Sequence, residues 1–252
     1  MVEPYNKAHL NFGQKILVIL VVLKKSLTTE LICVPLQLKE NGWQNLSQNK
    51  INKKFVYLIS PNKIVDESFY TNLALVLSSK KISFFQLRLK KETNLNKLII
   101  GEKIKKICKK YKVKFLINDD PLLAKKLNAD GCHLGQRDMD LIKARKILKN
   151  KIIGVTCHNS INLAKNAIKA RADYLAFGAF YKSDTKIVKY RASLRILKSV
   201  KKITLLPIVA IGGIKLNNYK KLLLNKANFL AISGYIWNNK KYKPLEAIKK
   251  LK

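Results

Sequence analysis

Short polar clusters recur where apolar runs end: Gln86-Leu87-Arg88-Leu89-Lys90, Asn118-Asp119-Asp120, His133-Leu134-Gly135-Gln136-Arg137-Asp138, Thr156, Ser183-Asp184-Thr185-Lys186, Gly212-Gly213 and Ser233-Gly234. Cations, carboxylates, hydroxyls and paired glycines are the parts needed to hold phosphates and a divalent metal. In an extended segment, alternation sends Gln86, Arg88 and Lys90 to one face and Leu87 and Leu89 to the other. Two unpaired cations are too costly to bury against a helical layer. That face is therefore expected at an open rim, balanced by a bound anion, with an internal salt-bridge network as the alternative. Asp119 and Asp138 would bring two carboxylates together. A few hard oxygen ligands, completed by an incoming polyphosphate, are how Mg²⁺ is usually held. Asp120 could instead cap a helix starting at Pro121. Ser183, Thr185 and Lys186 offer two hydroxyls and a cation, enough to grip a diphosphate by charge-assisted hydrogen bonds, although alone they also read as an ordinary polar loop.

The elements that would position these groups follow from periodicity. Apolar or β-branched runs suggest strands at Phe55 to Ser60, Phe84 to Leu89, Phe115 to Asn118, Gly131 to Leu134, Ile152 to Thr156, Tyr174 to Gly178, Ile208 to Ile211 and Phe229 to Ile232. Amphipathic stretches between them suggest helices at Ser68 to Lys80, Leu95 to Tyr111, Pro121 to Leu127, Asp140 to Leu148, Ile161 to Ala170, Leu194 to Lys202 and Leu216 to Asn225, with a last one near Leu245 to Leu251. Strands alternating with helices imply a parallel sheet, and eight such units close into a single (β/α)₈ TIM barrel, of class α/β. An open doubly wound sheet fits less well, because the polar clusters follow strands all along the chain instead of gathering at one switch point. Asp140, Asn159 and Ser160 stand where helix caps are needed. Asn128-Ala129-Asp130, Lys169-Ala170-Arg171-Ala172-Asp173 and Asn225-Lys226-Ala227-Asn228 read as helix-to-strand returns at the opposite end of the barrel. The glycines after the seventh and eighth strands sit where barrels build phosphate sites from backbone N–H groups.

The chain has 252 residues and a formal net charge of +36, from 51 Lys and Arg against 15 Asp and Glu. Most of the cations are Lys, they accompany many Asn and Ile, and they are scattered along the sequence, which favours a solvated surface over a nucleic-acid footprint. Cys33, Cys108, Cys132 and Cys157 show neither metal spacing nor a disulfide framework, so a reducing cytoplasm is the simplest compartment. The apolar run Ile16 to Leu23 is shorter than the roughly 20 residues that span a bilayer. Residues 1–52 are read as a poorly ordered N-terminal extension ahead of a barrel over 53–252.

Taken in order, Q-x-R-x-K, N-D, H-L-G-Q-x-D, G-V-T-x-H, the S-x-T-K loop, A-I-G-G-I and I-S resemble the thiamine-phosphate synthase family from Phe55 to Trp237. The resemblance implies condensation of hydroxymethylpyrimidine diphosphate with a thiazole phosphate, releasing pyrophosphate. It implies that Gln86, Arg88, Lys90, Asn118 and Lys186 hold the pyrimidine diphosphate and that Asp119 and Asp138 bind Mg²⁺. Thr156 would lie near the pyrophosphate with Ser183 and Thr185, and Gly213, Ile232 and Ser233 would contact the thiazole phosphate. Small-molecule substrates are thus the expected partners, with neither membrane nor specific nucleic acid, and a homo-oligomer is left open. Leu89 replaces a common acidic residue, Ala179 a usual Pro, Ser183 a usual Thr and Gly234 a frequent Ala. The related thiazole tautomerases would use His158 for proton transfer but need neither the Asp119–Asp138 pair nor Arg88 with Lys90. A precursor-binding barrel without turnover is a further alternative. A basic nucleic-acid-binding protein would need aromatics interleaved with cations on one face, whereas the aromatics here lie in strand runs such as Phe84-Phe85.

Overall fold

Eight parallel strands pair in chain order and close on themselves: β1 (Val56–Ile59), β2 (Ile82–Leu87), β3 (Lys114–Asn118), β4 (Gly131–Leu134), β5 (Ile152–His158), β6 (Tyr174–Gly178), β7 (Ile208–Ile211) and β8 (Phe229–Ile232). This computed structural model describes residues 54–182 and 190–252, so the expected extension over 1–52 and the candidates Ser183, Thr185 and Lys186 lie outside the described residues. Helices α1 (Ser68–Ser78), α2 (Asn94–Lys110), α3 (Pro121–Lys126), α4 (Leu141–Leu148), α5 (Ile161–Lys169), α6 (Leu194–Lys201) and α7 (Tyr219–Leu224) alternate with the strands, and α8 (Gly234–Trp237) and α9 (Pro244–Lys250) follow β8. Pairing of β1 with β8 through Val56 and Leu230 makes the sheet a closed (β/α)₈ barrel and rules out the open alternative.

Departures from the expected boundaries have local causes. Helix α1 stops before Lys80, whose φ of 58° is left-handed. The expected start of α7 at Leu216 is instead a turn in which the Lys215 N–H donates to Asn218 Oδ1 at 2.8 Å. Strand β2 both starts and ends two residues earlier than expected, so Arg88 and Lys90 stand on the loop that leaves it. Helix α8 is too short to produce a readable period.

Strand alternation builds two apolar regions. Val56, Leu58, Phe85, Leu87, Ile153, Val155, Leu230 and Ile232 point outward and pack with the helices in one continuous core. Inside the barrel, Phe84 meets Phe229 edge-on at 5.1 Å and Tyr57 at 5.4 Å, while Tyr174 lies 5.8 Å from Tyr57. Room for these rings depends on glycine: a Cβ on Gly154 would lie 1.8 Å from Cζ of Tyr174. Gly154→Ala is therefore expected to destabilise the barrel by about 1–3 kcal/mol, read as a lower urea midpoint. An unchanged midpoint would show that Tyr174 has somewhere else to go.

The helix-to-strand returns are held by one repeated device. Asp130 accepts the Phe115 N–H on its carboxylate at 2.9 Å while its own N–H donates to Phe115 O at 2.8 Å. Asp173 does the same with Ile153 (2.7 and 2.8 Å), and Asn228 with Ile208 (2.9 and 2.8 Å). Each of these residues clamps the start of its own strand to the start of the strand before it. Lys114 and Arg145 neutralise Asp130 and Asp173 at 2.8 and 2.6 Å. Cations also fill the last turns of α2 (Lys109, Lys110), α3 (Lys125, Lys126), α4 (Arg145, Lys146), α6 (Lys198, Lys201) and α9 (Lys249, Lys250), where they complement the helix dipoles. Part of the positive charge that is scattered in sequence thus stands at the barrel end opposite the polar clusters.

Candidate active site

The rim at the strand C-termini begins with β2. Gln86 is buried inside the barrel, Arg88 is half-buried and Lys90 is exposed, while Leu87 and Leu89 join the helix-side core. Leu89, which stands where an acidic residue is common, is 3% exposed and packs with the apolar core. It lines a cleft of about 260 Å³ together with Leu87, Lys97 and Leu123, and the rim residues Lys90, Asn118 and Asp119 line the same cleft. The Arg88 N–H donates to Ser60 Oγ at 2.9 Å and its Nη1 donates to Asn62 Oδ1 at 3.2 Å. Among the described residues no carboxylate forms an ion pair with it. Burial lowers the Arg88 pKa, and only the more distant charge of Asp119 opposes that. Of the two cations, only Lys90 has a carboxylate partner among the described residues: its Nζ lies 2.7 Å from Asp119 Oδ2.

Asp119 reaches this position through a sharp backbone turn. Its φ is 64°, the Asp120 N–H donates to Asn118 O at 2.9 Å, and its own N–H donates to His133 O at 2.8 Å. Asp120 proves to be the cap of α3, accepting the Leu123 N–H at 2.9 Å. Asp138 folds back on its loop so that Oδ2 accepts the Gly135 N–H at 2.6 Å, and its carboxyl stands close enough to that of Asp119 for the two to influence each other's protonation. Gly135 permits this approach, since a Cβ there would lie 2.9 Å from Asp138 Oδ2. Burial and the neighbouring Asp119 raise the Asp138 pKa against the opposing Gly135 N–H. At Asp119 burial acts in the same sense, but the neighbouring Asp138 and the hydrogen bond and charge of Lys90 outweigh it and lower the pKa. Among the described residues no group of three or more His, Cys, Asp or Glu could hold a metal. A two-carboxylate pair of this kind fits a small hard cation that takes its remaining ligands from water and a phosphate chain.

Below the rim, the barrel throat holds a buried line of polar groups whose connection, through Tyr57 and Tyr174, sequence reasoning missed. Gln86 Nε2 donates to the Tyr57 hydroxyl at 2.9 Å, Tyr57 and Tyr174 hydroxyls meet at 2.8 Å, and Tyr174 reaches His133 Nδ1 at 2.8 Å. His133 Nε2 lies 2.9 Å from Thr156 Oγ1. Tyr57 and Tyr174 sit in apolar strands and read as core; only their alternation with Gln86, His133 and Thr156 could have marked them. Ser60 and Asn62, the Arg88 supports, carried no signal beyond a polar loop.

Burial lowers the His133 pKa to about 4, with Asp119 opposing and Arg88 assisting. A histidine lowered from its ordinary value of 6.5 binds fewer protons folded than unfolded, so its contribution to stability is complete above that value and fades as pH falls toward about 4. The melting temperature should accordingly drop between about pH 6.5 and 5, before most carboxylates titrate. His133→Gln should flatten that slope; an unchanged slope would assign it to other groups.

Across the mouth, Gly212 and Gly213 adopt φ of 104° and 61° and let the end of β7 approach the chain after β6; a Cβ on Gly213 would lie 2.1 Å from Lys182 O. Asn218 Nδ2 donates to Gly213 O at 3.0 Å, and Trp237 Nε1 donates to Ile59 O at 2.7 Å. Ser233 Oγ donates to Ser60 O at 3.0 Å, so Ser60 joins this side of the mouth to the Arg88 side. Ile232 does not present its side chain to the mouth: it is 2% exposed and packs in the helix-side core, which leaves only its backbone at the rim. Asn118 ends β3 beside His133. His158 ends β5 with its ring centroid 4.3 Å from that of Tyr190. Arg88, Lys90, Asn118, Asp119, Asp138 and Thr156 thus share one arc of the rim, with Gln86 buried beneath it and Gly213 and Ser233 on the remaining part of the mouth.

Residues 56–236 match the family model described as thiamine monophosphate synthase. A thiamine-phosphate synthase of Pelagibacter ubique (strain HTCC1062) is 88% identical over 207 residues, covering 82% of this chain and all of the relative. A thiamine-phosphate synthase of Nitrosomonas eutropha is 38% identical over 191 residues, covering 75% and 90% of the two chains. Among solved structures, thiamine phosphate pyrophosphorylase from Pyrococcus furiosus superposes with a TM-score of 0.68 at 26% identity, covering 81% of this chain and 96% of that one. With the barrel, the rim and these likenesses in agreement, the chain belongs to the thiamine monophosphate synthase family.

Proposed function

We propose that this barrel is a thiamine-phosphate synthase that joins hydroxymethylpyrimidine diphosphate to hydroxyethylthiazole phosphate, forming thiamine phosphate and releasing pyrophosphate. The observation that carries the reading is Arg88, a half-buried guanidinium without a carboxylate partner among the described residues, beside the Asp119–Asp138 pair. A cation held in that state is balanced by an incoming anion, and two carboxylates in contact are balanced by a cation.

In this reading Arg88 and Lys90 hold the diphosphate, and Gln86 and Asn118 orient the pyrimidine end. Asp119 and Asp138 would hold Mg²⁺, which when bound offsets charge on the diphosphate. Thr156, with Ser183, Thr185 and Lys186, would bond to the departing pyrophosphate. The Ser233 hydroxyl and the backbone at Gly213 and Ile232 would hold the thiazole phosphate, so that the thiazole nitrogen faces the pyrimidine methylene. Charge then separates between a resonance-stabilised pyrimidine methylene cation and pyrophosphate, and the preorganised cations and donors of the rim stabilise the leaving side. The ring nitrogen is already nucleophilic, so no general base is needed.

The reading also places the enzyme in the cytoplasm with small molecules as its partners. Cys108, Cys132 and Cys157 are free and buried, and no described helix is long and apolar enough to cross a membrane. The test is to incubate the purified chain with both precursors and Mg²⁺. Equimolar thiamine phosphate and pyrophosphate are expected; their absence in a folded, metal-replete sample would overturn the assignment.

A further inference from the structure

The polar line through the barrel throat has a direction. Gln86 presents its amide nitrogen to Tyr57, which makes the Tyr57 oxygen an acceptor. The Tyr57 proton is then free for Tyr174, and the Tyr174 proton for His133 Nδ1. Intrinsic preferences favour the same order, because a phenol is a good donor and the bare imidazole nitrogen a strong acceptor. With Nδ1 accepting, a neutral His133 carries its proton on Nε2, and that N–H donates to Thr156 Oγ1 at 2.9 Å. The Thr156 hydroxyl has then accepted from inside the barrel and keeps its own proton to donate outward. Thr156 is half-buried at the strand C-terminal end and lies on the face of β5 that looks into the barrel, since Val155 and Cys157 pack with the helices.

We propose that this oriented chain, Gln86 to Tyr57 to Tyr174 to His133 to Thr156, presets the Thr156 hydroxyl as a hydrogen-bond donor to the leaving pyrophosphate, with Tyr174 and His133 as its positioning residues. The role given to Thr156 rests on the proposed synthase reaction; the direction of the chain does not. No proton changes owner along the line. Each group is turned beforehand, so the donor faces the oxygen on which negative charge grows and need not reorient as the bond breaks. The opposite polarity, with the Tyr57 proton on the Gln86 carbonyl and a proton on Nδ1, would turn the Thr156 proton inward onto Nε2 and offer the diphosphate only a lone pair.

The tautomer of His133 decides between the two. In the free protein at neutral pH, long-range ¹H–¹⁵N NMR, assigned by loss of signals in His133→Gln, should show a protonated Nε2 and a bare Nδ1. A protonated Nδ1, or a doubly protonated ring, would overturn the proposal, and since no substrate is present this outcome is separate from any failure of the synthase reading. In turnover, Thr156→Ser should keep kcat within about threefold, while Thr156→Val should lose about tenfold or more, as expected for one hydrogen bond to a charged group. Equal rates for Ser and Val would remove Thr156 as the donor. Tyr174→Phe should populate both His133 tautomers and lower kcat; a folded variant that retains both the single tautomer and the rate would exclude Tyr174 from the chain. If that variant does not fold, the tautomer in the parent protein still decides the polarity.

Discussion

Asp138→Asn is expected to lower kcat by about 10² to 10³ while the protein melts at or above the parent temperature. The rate loss follows from removing half of a two-carboxylate cation site. The stability gain follows from the metal-free geometry. Burial and the Asp119 neighbour raise the Asp138 pKa, so its contribution to stability is present in acid and is lost as pH rises through that raised value. Above that raised value the ionised pair repels. Asparagine ends that repulsion, and its Oδ1 can still accept the Gly135 N–H. Asp119, whose pKa is lowered by Asp138 and Lys90 against burial, keeps the opposite dependence and its Lys90 partner. Steady-state turnover across a Mg²⁺ titration, with thermal melts in chelator, would check both halves. Full turnover in the variant would sink the metal assignment, and a large loss of stability would mean that Asp138 is a structural loop residue.

Replacing Arg88 by Ala should reduce kcat/KM for the pyrimidine diphosphate by about 10² to 10³, with a much smaller change in KM for the thiazole phosphate. Arg88→Lys should recover only part of the loss, because a lysine cannot donate to Asn62 and to a phosphate from one planar fork. The fold should tolerate both changes. A half-buried cation with no anionic partner among the described residues pays for desolvation without return in the free protein, so its removal is not expected to lower the melting temperature. Initial rates with each substrate varied in turn would decide; equal effects on both KM values would mean that Arg88 supports the mouth as a whole.

The barrel was legible because its signal is local. Eight apolar runs separated by amphipathic stretches fix the strand order, and β4, β6, β7 and β8 begin and end as expected. Gln86, Arg88 and Lys90 were legible because alternation alone forbids their burial against helices. Asp120 was ambiguous because capping and metal binding use the same side chain; only the Leu123 N–H on its carboxylate decides. Tyr57 and Tyr174 were missed, and His133 was named only as part of a polar cluster, for the opposite reason. Their partners come from other strands, with Tyr57 and Tyr174 separated by 117 positions, and no window along one strand contains that information. The placement of cations in the last turns of several helices was not legible either, since it depends on where each helix ends.

The clamps at the strand starts bear on how the chain assembles. Asp130, Asp173 and Asn228 each tie together two strands that are neighbours in sequence, across separations of 15 to 20 residues. Such contacts close short loops and form early at small entropic cost, whereas the pairing of β1 with β8 must wait for nearly the whole barrel. The β3–β4, β5–β6 and β7–β8 pairs share this acceptor clamp, while at the start of β5 Lys151 Nζ donates to Asn128 Oδ1 at 2.6 Å and to Ala129 O at 2.5 Å and so ties β5 back to β4. The residues that clamp the strand starts are thus distinct from those that would turn over substrate, and the two sets lie at opposite ends of the same strands.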